Sequence, residues 1–347
     1  MPIMKTYIFF SALLVLTVTT VTAQTPFSIG GYIEPYYSYD FSKPISGDRP
    51  FVFNHARHNE FSINLALLDM RYTSEDTRAR VALQTGTYAI SNYAAEPTLL
   101  QTVHEASAGF RIAEGLWLDA GVLGSHIGLE SAIGRDNWTL TRSLAAEYSP
   151  YYETGVRLEV RPSEQWMGKL LVLNGWQNIK ETNSDKAFGT QIQFTPSSDI
   201  VLNWSTFLGN EAPDSVGSQT RIFNDFYAQL TLASHLRLAV VFDIGMQDVP
   251  DTDELAVWNT ATLILQYELS PAVACAVRGE YFSDKNHVVF PADNMKSFSA
   301  NVDWHPADKI TARIEGRLFS SDDDIFITGA GREKLNSSIT TSIGFTL

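Results

Sequence analysis

The sequence lacks the features that define several protein classes, beginning with cysteine. Cys275 is the single cysteine among 347 residues, so it cannot form an intramolecular disulfide, and the fold must hold without covalent cross-links. After residue 23 no apolar stretch approaches the ~18 residues that a membrane-spanning helix needs, and the longest runs resemble Ala272 to Val277. A helical membrane protein is excluded. A β-barrel is not, because barrel strands are apolar only at every second position.

Clusters of basic residues are also absent. The chain has 25 Lys and Arg residues against 39 Asp and Glu residues, a formal net charge of -14 at pH 7. Because binding to a phosphate backbone requires clustered Lys and Arg side chains, we expect no nucleic-acid partner.

Signals of catalysis and of cofactor or metal binding are weak. The 7 histidines are scattered, and the sequence contains no close His/Cys ligand pair, no Gly-x-Ser-x-Gly elbow and no phosphate loop. The acidic run Asp322-Asp323-Asp324 lacks the spaced ligands and the glycine of an EF-hand loop, which favours a solvated acidic loop over a calcium site. We therefore expect no catalytic residue, no metal site, no cofactor and no enzymatic activity.

The first residues are typical of a secretory signal peptide. Lys5 precedes an uncharged apolar run from Thr6 to Val21, which ends in the small-x-small triplet Val21-Thr22-Ala23. This arrangement predicts a cleaved peptide over residues 1–23. A single mature domain, residues 24–347, would then be exported through the periplasm.

Beyond this segment, apolar and polar residues alternate with a period of two, which is the pattern of β-strands. Many of the polar positions carry charges, as at Arg313, Glu315 and Arg317. A barrel in lipid turns its apolar face outward and such charges toward a wet lumen, whereas a soluble sheet packs its apolar face into a core. The alternation alone fits both folds.

The lengths of the connections distinguish these two folds. Short turns, such as Thr73 to Asp76 and Pro306 to Asp308, alternate along the chain with longer polar loops. The long loops are expected at Ser42 to Arg57, Ile90 to Leu100, Gly124 to Pro150, Gln177 to Lys186, Asn210 to Thr220, Gln247 to Glu254, Ser283 to Asn294 and Ser320 to Leu335. We therefore predict an all-β fold, a transmembrane antiparallel up-and-down β-barrel of about sixteen strands with short periplasmic turns and long outer loops.

Several motifs resemble one family of outer-membrane proteins. They are Gly31-Tyr32-Ile33-Glu34-Pro35-Tyr36-Tyr37, Asn59-Glu60-Phe61, Gly128-Leu129-Glu130-Ser131, Tyr148-Ser149-Pro150-Tyr151-Tyr152-Glu153-Thr154-Gly155 and Leu173-Asn174-Gly175-Trp176-Gln177. In these motifs, and in their order along nearly all of the mature chain, the sequence resembles the OmpL-like β-barrel porins (the porin-2 family) of Gram-negative outer membranes. The motifs are structural rather than catalytic. The resemblance implies a porin that allows passive diffusion of small hydrophilic solutes or ions through a water-filled barrel.

The expected location is the outer membrane, with its lipid and lipopolysaccharide around the barrel and small hydrophilic solutes inside it. The sequence leaves open whether the barrels assemble as homotrimers. Two other functions also stay open at this point: a surface receptor or adhesin whose lumen is blocked, and, with less support, a barrel hydrolase of the phospholipase type.

The third long loop is the longest, and general porins fold a loop in this position into the lumen. It contains charges of both signs: Glu130, Arg135, Asp136, Arg142 and Glu147. At a constriction such charges would set up a local field that sorts solutes by charge and dipole. The alternative is an external loop that is simply solvated.

Arginines recur at positions expected to face the lumen. They are Arg78, Arg80, Arg111, Arg157, Arg278, Arg313 and Arg317, and with Glu153 they complete the candidate pore-lining set. They could form a basic ladder that guides anions. Carboxylates lie beside them, at Glu105, Glu153, Glu159, Glu280 and Glu315, so mutual pairing across neighbouring strands is the favoured interpretation. The sequence does not determine a preference for anions or cations.

Overall fold

The computed structural model describes residues 26–249, 254–329 and 331–347. The predicted signal peptide, residues 1–23, lies outside the described residues.

The described chain is almost entirely strands. They are β1 Phe27–Asp40, β2 Phe61–Thr73, β3 Thr77–Thr85, β4 Val103–Ala113, β5 Leu116–Gly124, β6 Tyr152–Val160, β7 Trp166–Leu173, β8 Ala187–Ser197, β9 Ile200–Asn210, β10 Thr220–Ala233, β11 Leu236–Asp248, β12 Leu255–Ser270, β13 Val273–Asp284, β14 Asn294–Ala307, β15 Ile310–Ser320, β16 Phe326–Thr328, β17 Gly331–Glu333 and β18 Leu335–Thr346. The short strands β16 and β17 form a separate hairpin.

The remaining strands of the described chain close into one 16-stranded antiparallel barrel. Each strand pairs with its neighbours in sequence, and β18 pairs with both β15 and β1. Tyr36 lies opposite Ser342 in the closing pair. Both the predicted fold class and the predicted strand number are confirmed.

Two short helices lie in the connections: α1 Thr87–Asn92 and α2 Leu144–Glu147. At the start of α2, the Ser143 hydroxyl accepts a hydrogen bond from the Ala146 amide at 3.2 Å, which satisfies one of the open donors of a first helical turn. Among the described residues, no helix is long and apolar enough to cross a membrane.

The connections sort by length to the two ends of the barrel. At one end the strands are joined by tight turns, such as Ser74 to Asp76 between β2 and β3. Between β4 and β5, Gly115 adopts φ 69, a left-handed conformation that glycine takes without steric cost. The long loops that the structure describes lie at the other end and fall where the sequence predicts them, whereas most of the predicted loop Gln247 to Glu254 lies outside the described residues. Four of these loops are L1 (41–60), L3 (125–151), L7 (285–293) and L8 (321–334).

The apolar residues of the strands point away from the barrel axis. In β12 the side chains of Val257, Leu263 and Leu269 are exposed, whereas Thr260 and Thr262 are buried inside. Large exposed apolar side chains recur in this way around the barrel, at Leu170, Leu202, Phe226, Val277, Phe298, Ile314 and Ile343. An apolar outer band with a polar interior is the arrangement that a hydrocarbon surrounding stabilises.

Substitution of Leu263 tests this orientation. Leu263 lies in the middle of β12 with 49% of its surface exposed, so an arginine there would sit at the centre of the bilayer. We expect Leu263→Arg to destabilise the folded barrel by about 2–4 kcal/mol, measured by denaturant unfolding from lipid vesicles. Leu269→Arg is the matched control, because Leu269 is equally outward but close to the short-turn end and should cost only about 0–1 kcal/mol. Equal losses for the two variants would contradict a lipid-facing surface.

Candidate functional site

The loop L3 lies inside the barrel and is held there by inward side chains of several strands. The amide of Gly128 donates to Asp225 of β10 at 3.2 Å, and the amide of Leu140 donates to Asn301 of β14 at 3.2 Å. On β15, the Arg313 guanidinium donates to the carbonyl of Gly134 at 2.6 Å. L3 therefore crosses the lumen rather than extending into the external medium.

The first residues of L3 are fixed against strands β6 and β9. The Nδ1 atom of His126 lies 2.8 Å from a Glu153 carboxylate oxygen, and its Nε2 atom lies 2.8 Å from the Thr206 carbonyl oxygen. The Ser205 hydroxyl donates to the His126 carbonyl at 2.7 Å. Glu153, a candidate pore-lining residue, is thus buried and engaged in positioning the loop.

L3 is also attached to a buried group of four charged residues on β13 and β15, which we call the loop anchor: Arg278, Glu280, Glu315 and Arg317. Arg278 pairs with Glu280 at 2.9 Å and with Glu315 at 2.9 Å, and Arg317 pairs with Glu280 at 2.8 Å. All four side chains are almost completely removed from solvent. Charges buried to this extent are tolerated only when they are paired and fully hydrogen-bonded.

The loop anchor binds the backbone of L3 directly. Glu315 accepts hydrogen bonds from the amide and the hydroxyl of Thr141, both at 2.7 Å. Arg278 donates to the Thr141 carbonyl at 2.6 Å, and Arg317 donates to the Arg142 carbonyl at 2.7 Å. These contacts supply further partners for the buried charges, so the loop and the anchor stabilise each other.

Three of the five charged candidates in L3 are also buried. Arg142 donates to the carbonyls of Leu140 and Ala132, both at 2.9 Å. Glu130 accepts from the Ser143 amide at 2.9 Å. The third buried charge is Glu147. Arg142 and Glu130 hold the loop in its folded shape.

Glu147 connects L3 to L1 near the long-loop end. Its carboxylate accepts a hydrogen bond from the Phe53 amide at 2.8 Å and a second from the Asn54 side chain at 3.3 Å. Because the group is completely buried, desolvation raises the pKa of Glu147 to about 7. The contact between the two loops therefore includes a carboxyl group that changes charge near neutral pH.

Arg135 and Asp136 are the exposed charges of L3. Their side chains are 44% and 49% exposed to solvent, and the Arg135 Nε atom lies 3.7 Å from an Asp136 carboxylate oxygen. They belong to a single 3-10 turn, Gly134–Asp136, which faces the short-turn end of the lumen. Of the predicted charges of this loop, these two remain in contact with water.

The wall opposite the loop anchor carries ion pairs that stay partly open to water. On β2 to β4, Asp69 binds Arg80 at 2.9 Å, and Arg80 also pairs with Glu105. On β3 to β6, Asp119 binds both Arg78 and Arg157. Pairing across neighbouring strands, the interpretation favoured from the sequence, describes Arg80 and Arg157, whereas Arg78 of β3 reaches Asp119 of β5 across β4.

Two of the remaining candidate arginines lie outside this wall. Arg111 is at the rim of the short-turn end, where it pairs with Glu75 and Asp76 of the first turn. Arg313 is buried under L3 and pairs with Asp303 at 2.7 Å. The seven arginines therefore do not form one continuous ladder.

An apolar cluster at the long-loop end was not found from the sequence. Phe51 of L1, Phe290 of L7 and Phe326 of L8 pack together inside the barrel. Tyr148 of L3 joins them. Their neighbours on the wall are inward aromatic residues at the strand ends: Phe207, Phe223, Trp258, Phe282 and Phe319.

A signal for this cluster was present in the register of the strands. Phe319 continues the inward row of Arg313, Glu315 and Arg317, and Phe282 continues that of Arg278 and Glu280. A large apolar side chain at the end of a charged row predicts an apolar partner inside the lumen.

Three cavities of about 390, 310 and 300 Å³ adjoin the Asp136 side of L3. The third, which we call the passage, separates L3 from the inner wall of β2 to β5. It reaches from Arg71, near the short-turn end of β2, to Gly124 and Pro150 at the long-loop end. Its charged and polar lining includes Arg71, Arg80, His104, Glu105, Ser125, Glu130, Ser131 and Asp136.

Within the described ranges, no group of three or more His, Cys, Asp or Glu side chains could hold a metal ion.

A closed barrel with an apolar exterior, paired charges inside and a long loop folded into the lumen defines the porin class of membrane protein. The family model described as beta-barrel porin-2, OmpL-like, matches residues 26–347. The chain therefore belongs to this family and is an outer-membrane porin, as the resemblance of its motifs implied.

Solved porin structures share the fold at low sequence identity. The anion-selective porin from Comamonas acidovorans has 8% identity and a TM-score of 0.64, with 92% of this chain and 99% of that chain covered. The outer-membrane channel DcaP of Acinetobacter baumannii has 9% identity and a TM-score of 0.63, with 92% and 97% covered. Salmonella typhi OmpF, in a complex with daunomycin, has 12% identity and a TM-score of 0.63, with 92% and 97% covered. No curated protein matches the sequence.

Substitution of Glu315 tests the role of the loop anchor. Glu315→Gln leaves Arg278 buried with reduced charge compensation, so we expect a loss of about 3 kcal/mol in the free energy of unfolding and a larger, noisier channel conductance as L3 loosens. Glu268→Gln is the control, because the Arg237–Glu268 pair is 38% and 41% exposed and should contribute less than about 1 kcal/mol. If Glu315→Gln matched this control in both measurements, the anchor would have no role in holding L3.

The raised pKa of Glu147 predicts a pH dependence of stability. A carboxyl group whose folded-state pKa is raised favours folding below its ordinary pKa of 4.5, and this contribution is lost as the pH rises through about 7. The difference in unfolding free energy between the wild type and Glu147→Gln should therefore fall by about 3 kcal/mol across this window, at ~1.4 kcal/mol per pKa unit. Denaturant unfolding of both proteins at pH 4.5, 6 and 7.5 measures it. A difference that stays constant with pH would show that Glu147 titrates normally.

Proposed function

We propose that this porin allows passive diffusion of small hydrophilic solutes or ions along the passage between L3 and the β2–β5 wall, without a chemical step and without a cofactor. The observation that carries the proposal is the cavity lined by Arg71, Arg80, Glu105 and Asp136, which follows the wall from one end of the barrel toward the other. Its polar lining suits hydrated solutes.

The charges that remain in water determine which solutes pass most readily. Arg135 and Asp136 carry opposite signs on one turn of L3, and the arginines of the wall face carboxylates. A field that runs across a narrow, wet channel orients dipolar solutes and discriminates between ions. We propose as the selectivity residues Arg71, Arg80 and Asp136, which line the passage, together with Arg135, which lines the two cavities beside it. Arg142, Glu147 and the loop anchor act by holding L3.

The barrel is expected in the outer membrane, where lipid and lipopolysaccharide would contact its apolar exterior. The long loops would face outward. Assembly as a homotrimer stays a proposal that cross-linking in native membranes can test.

One observation favours a second candidate function. The aromatic cluster of Phe51, Tyr148, Phe290 and Phe326 fills part of the lumen at the long-loop end. A surface receptor whose loops bind a partner while its lumen stays blocked would have such a cluster. In a porin, the same cluster narrows the long-loop end of the lumen and so limits the size of the solutes that can pass.

Recordings from planar bilayers distinguish these two functions. A diffusion channel gives stepwise increases in conductance as single barrels insert, whereas a blocked receptor gives none. If correctly folded protein gave no conductance steps, the proposal would be overturned.

The same recordings test the selectivity residues with a pair of opposite substitutions. A unit charge acting over roughly 10 Å of water contributes about 0.4 kcal/mol, or about a twofold change in the ion permeability ratio. Arg135→Gln should shift the reversal potential in a salt gradient toward cation preference, and Asp136→Asn should shift it toward anion preference. Shifts of the same sign, or none, would exclude these residues from the conduction path.

A further inference from the structure

A groove of about 810 Å³ lies on the outer surface of the barrel at the long-loop end. Its floor is formed by the ends of β1, β14, β15 and β18, and the hairpin of β16 and β17 extends over it as a roof. The groove is therefore outside the lumen and separate from the passage.

The floor of the groove is part of the lipid-facing surface. Phe41, Phe298, Leu318 and Leu335 all line it with exposed side chains. Phe298 and Leu318 lie opposite each other on β14 and β15, and the outward row continues through Val302 and Ile314 toward the membrane centre. In the outer membrane, acyl chains of the outer leaflet would contact this apolar floor.

Two lysines line the groove at the edge of the apolar floor. Lys296 lies on the outward row of β14, next to Phe298. Lys43 reaches the groove from L1, where its amide donates to the Asp40 carbonyl at 3.1 Å. The Lys296 ammonium lies 3.5 Å from an Asp322 carboxylate, but both side chains are more than half exposed, so this pair is weak. Glu333 of the roof also lines the groove.

In a chain with a net charge of -14, an anionic ligand requires local positive charge, and Lys43 and Lys296 supply it at the groove. Lysines placed above an apolar floor are positioned to extend their ammonium groups to the level of lipid headgroups while their stems stay on apolar surface. A phosphate located directly above acyl chains complements both features. A purely polar ligand would leave the floor unused, and an uncharged lipid would leave the lysines unused.

We propose that the groove binds one phosphorylated, acylated sugar lipid of the outer leaflet, of the lipid A type, with an acyl chain on the apolar floor and a phosphate between Lys43 and Lys296. This site goes beyond the diffusion function, and it rests on the proposed orientation, in which the long loops face outward and lipopolysaccharide contacts the apolar exterior. The roof of β16 and β17 encloses the chain at the level where the headgroup begins.

The test compares the folded wild-type barrel with Lys43→Gln/Lys296→Gln in binding to diphosphorylated lipid A, measured by native mass spectrometry from mild detergent. Two lysines near an anionic headgroup contribute about a factor of five each, so the double variant should bind about 25-fold more weakly. Lys285→Gln/Lys309→Gln is the control, because it removes the same charge from exposed positions in L7 and in the last short turn, and it should bind like the wild type.

Two further lipids distinguish the sources of an anionic headgroup. Dephosphorylated lipid A should lose the affinity, and phosphatidylglycerol should bind more weakly than diphosphorylated lipid A. The proposal is overturned if the Lys43/Lys296 variant retains wild-type affinity, if the control pair loses as much, or if either comparison lipid binds equally well. Channel conductance of the double variant should remain unchanged, which separates this result from the pore function.

Discussion

The structure depends on the pairing of every backbone hydrogen-bonding group in a surrounding that contains no water. An unpaired N–H or C=O group in hydrocarbon costs several kcal/mol, so a membrane-spanning sheet cannot keep an open edge. Pairing of β18 with β1, as at Tyr36 and Ser342, removes that edge. Closure also gives each strand an inside and an outside. The alternation along β12 and β13 then assigns Leu263 to lipid and Arg278 to the lumen.

Charged residues on the two sides of the lumen differ in their surroundings. On β13 and β15 the arginines lie beneath L3, and their remaining donors bind carbonyls of that loop. On β2 to β6 the arginines pair with carboxylates of neighbouring strands but keep contact with water. Because L3 is bound to β13 and β15, the cavity between L3 and β2 to β5 stays open. The passage is therefore a consequence of where the loop is attached.

The long-loop end has two apolar surfaces, separated by the thickness of the sheet. Phe319 points inward and packs on Phe326 in the aromatic cluster, whereas the preceding residue, Leu318, points outward into the groove. The hairpin of β16 and β17 contributes to both, since Phe326 is buried inside while Thr328 lies over the lipid-facing floor. Restriction of the mouth and the outer groove thus share the same structural elements.

The sequence by itself determined the strands, the positions of the long loops and the inward direction of residues such as Arg78 and Arg278, because a period of two and the length of a connection are local properties. It placed Arg135, Asp136, Arg142 and Glu147 in one loop without separating them. Only the tertiary structure decided that Arg142 and Glu147 are buried while Arg135 and Asp136 meet water. Burial depends on the path of L3 across the lumen, and that path depends on partners more than a hundred residues away, such as Glu315 and Arg317.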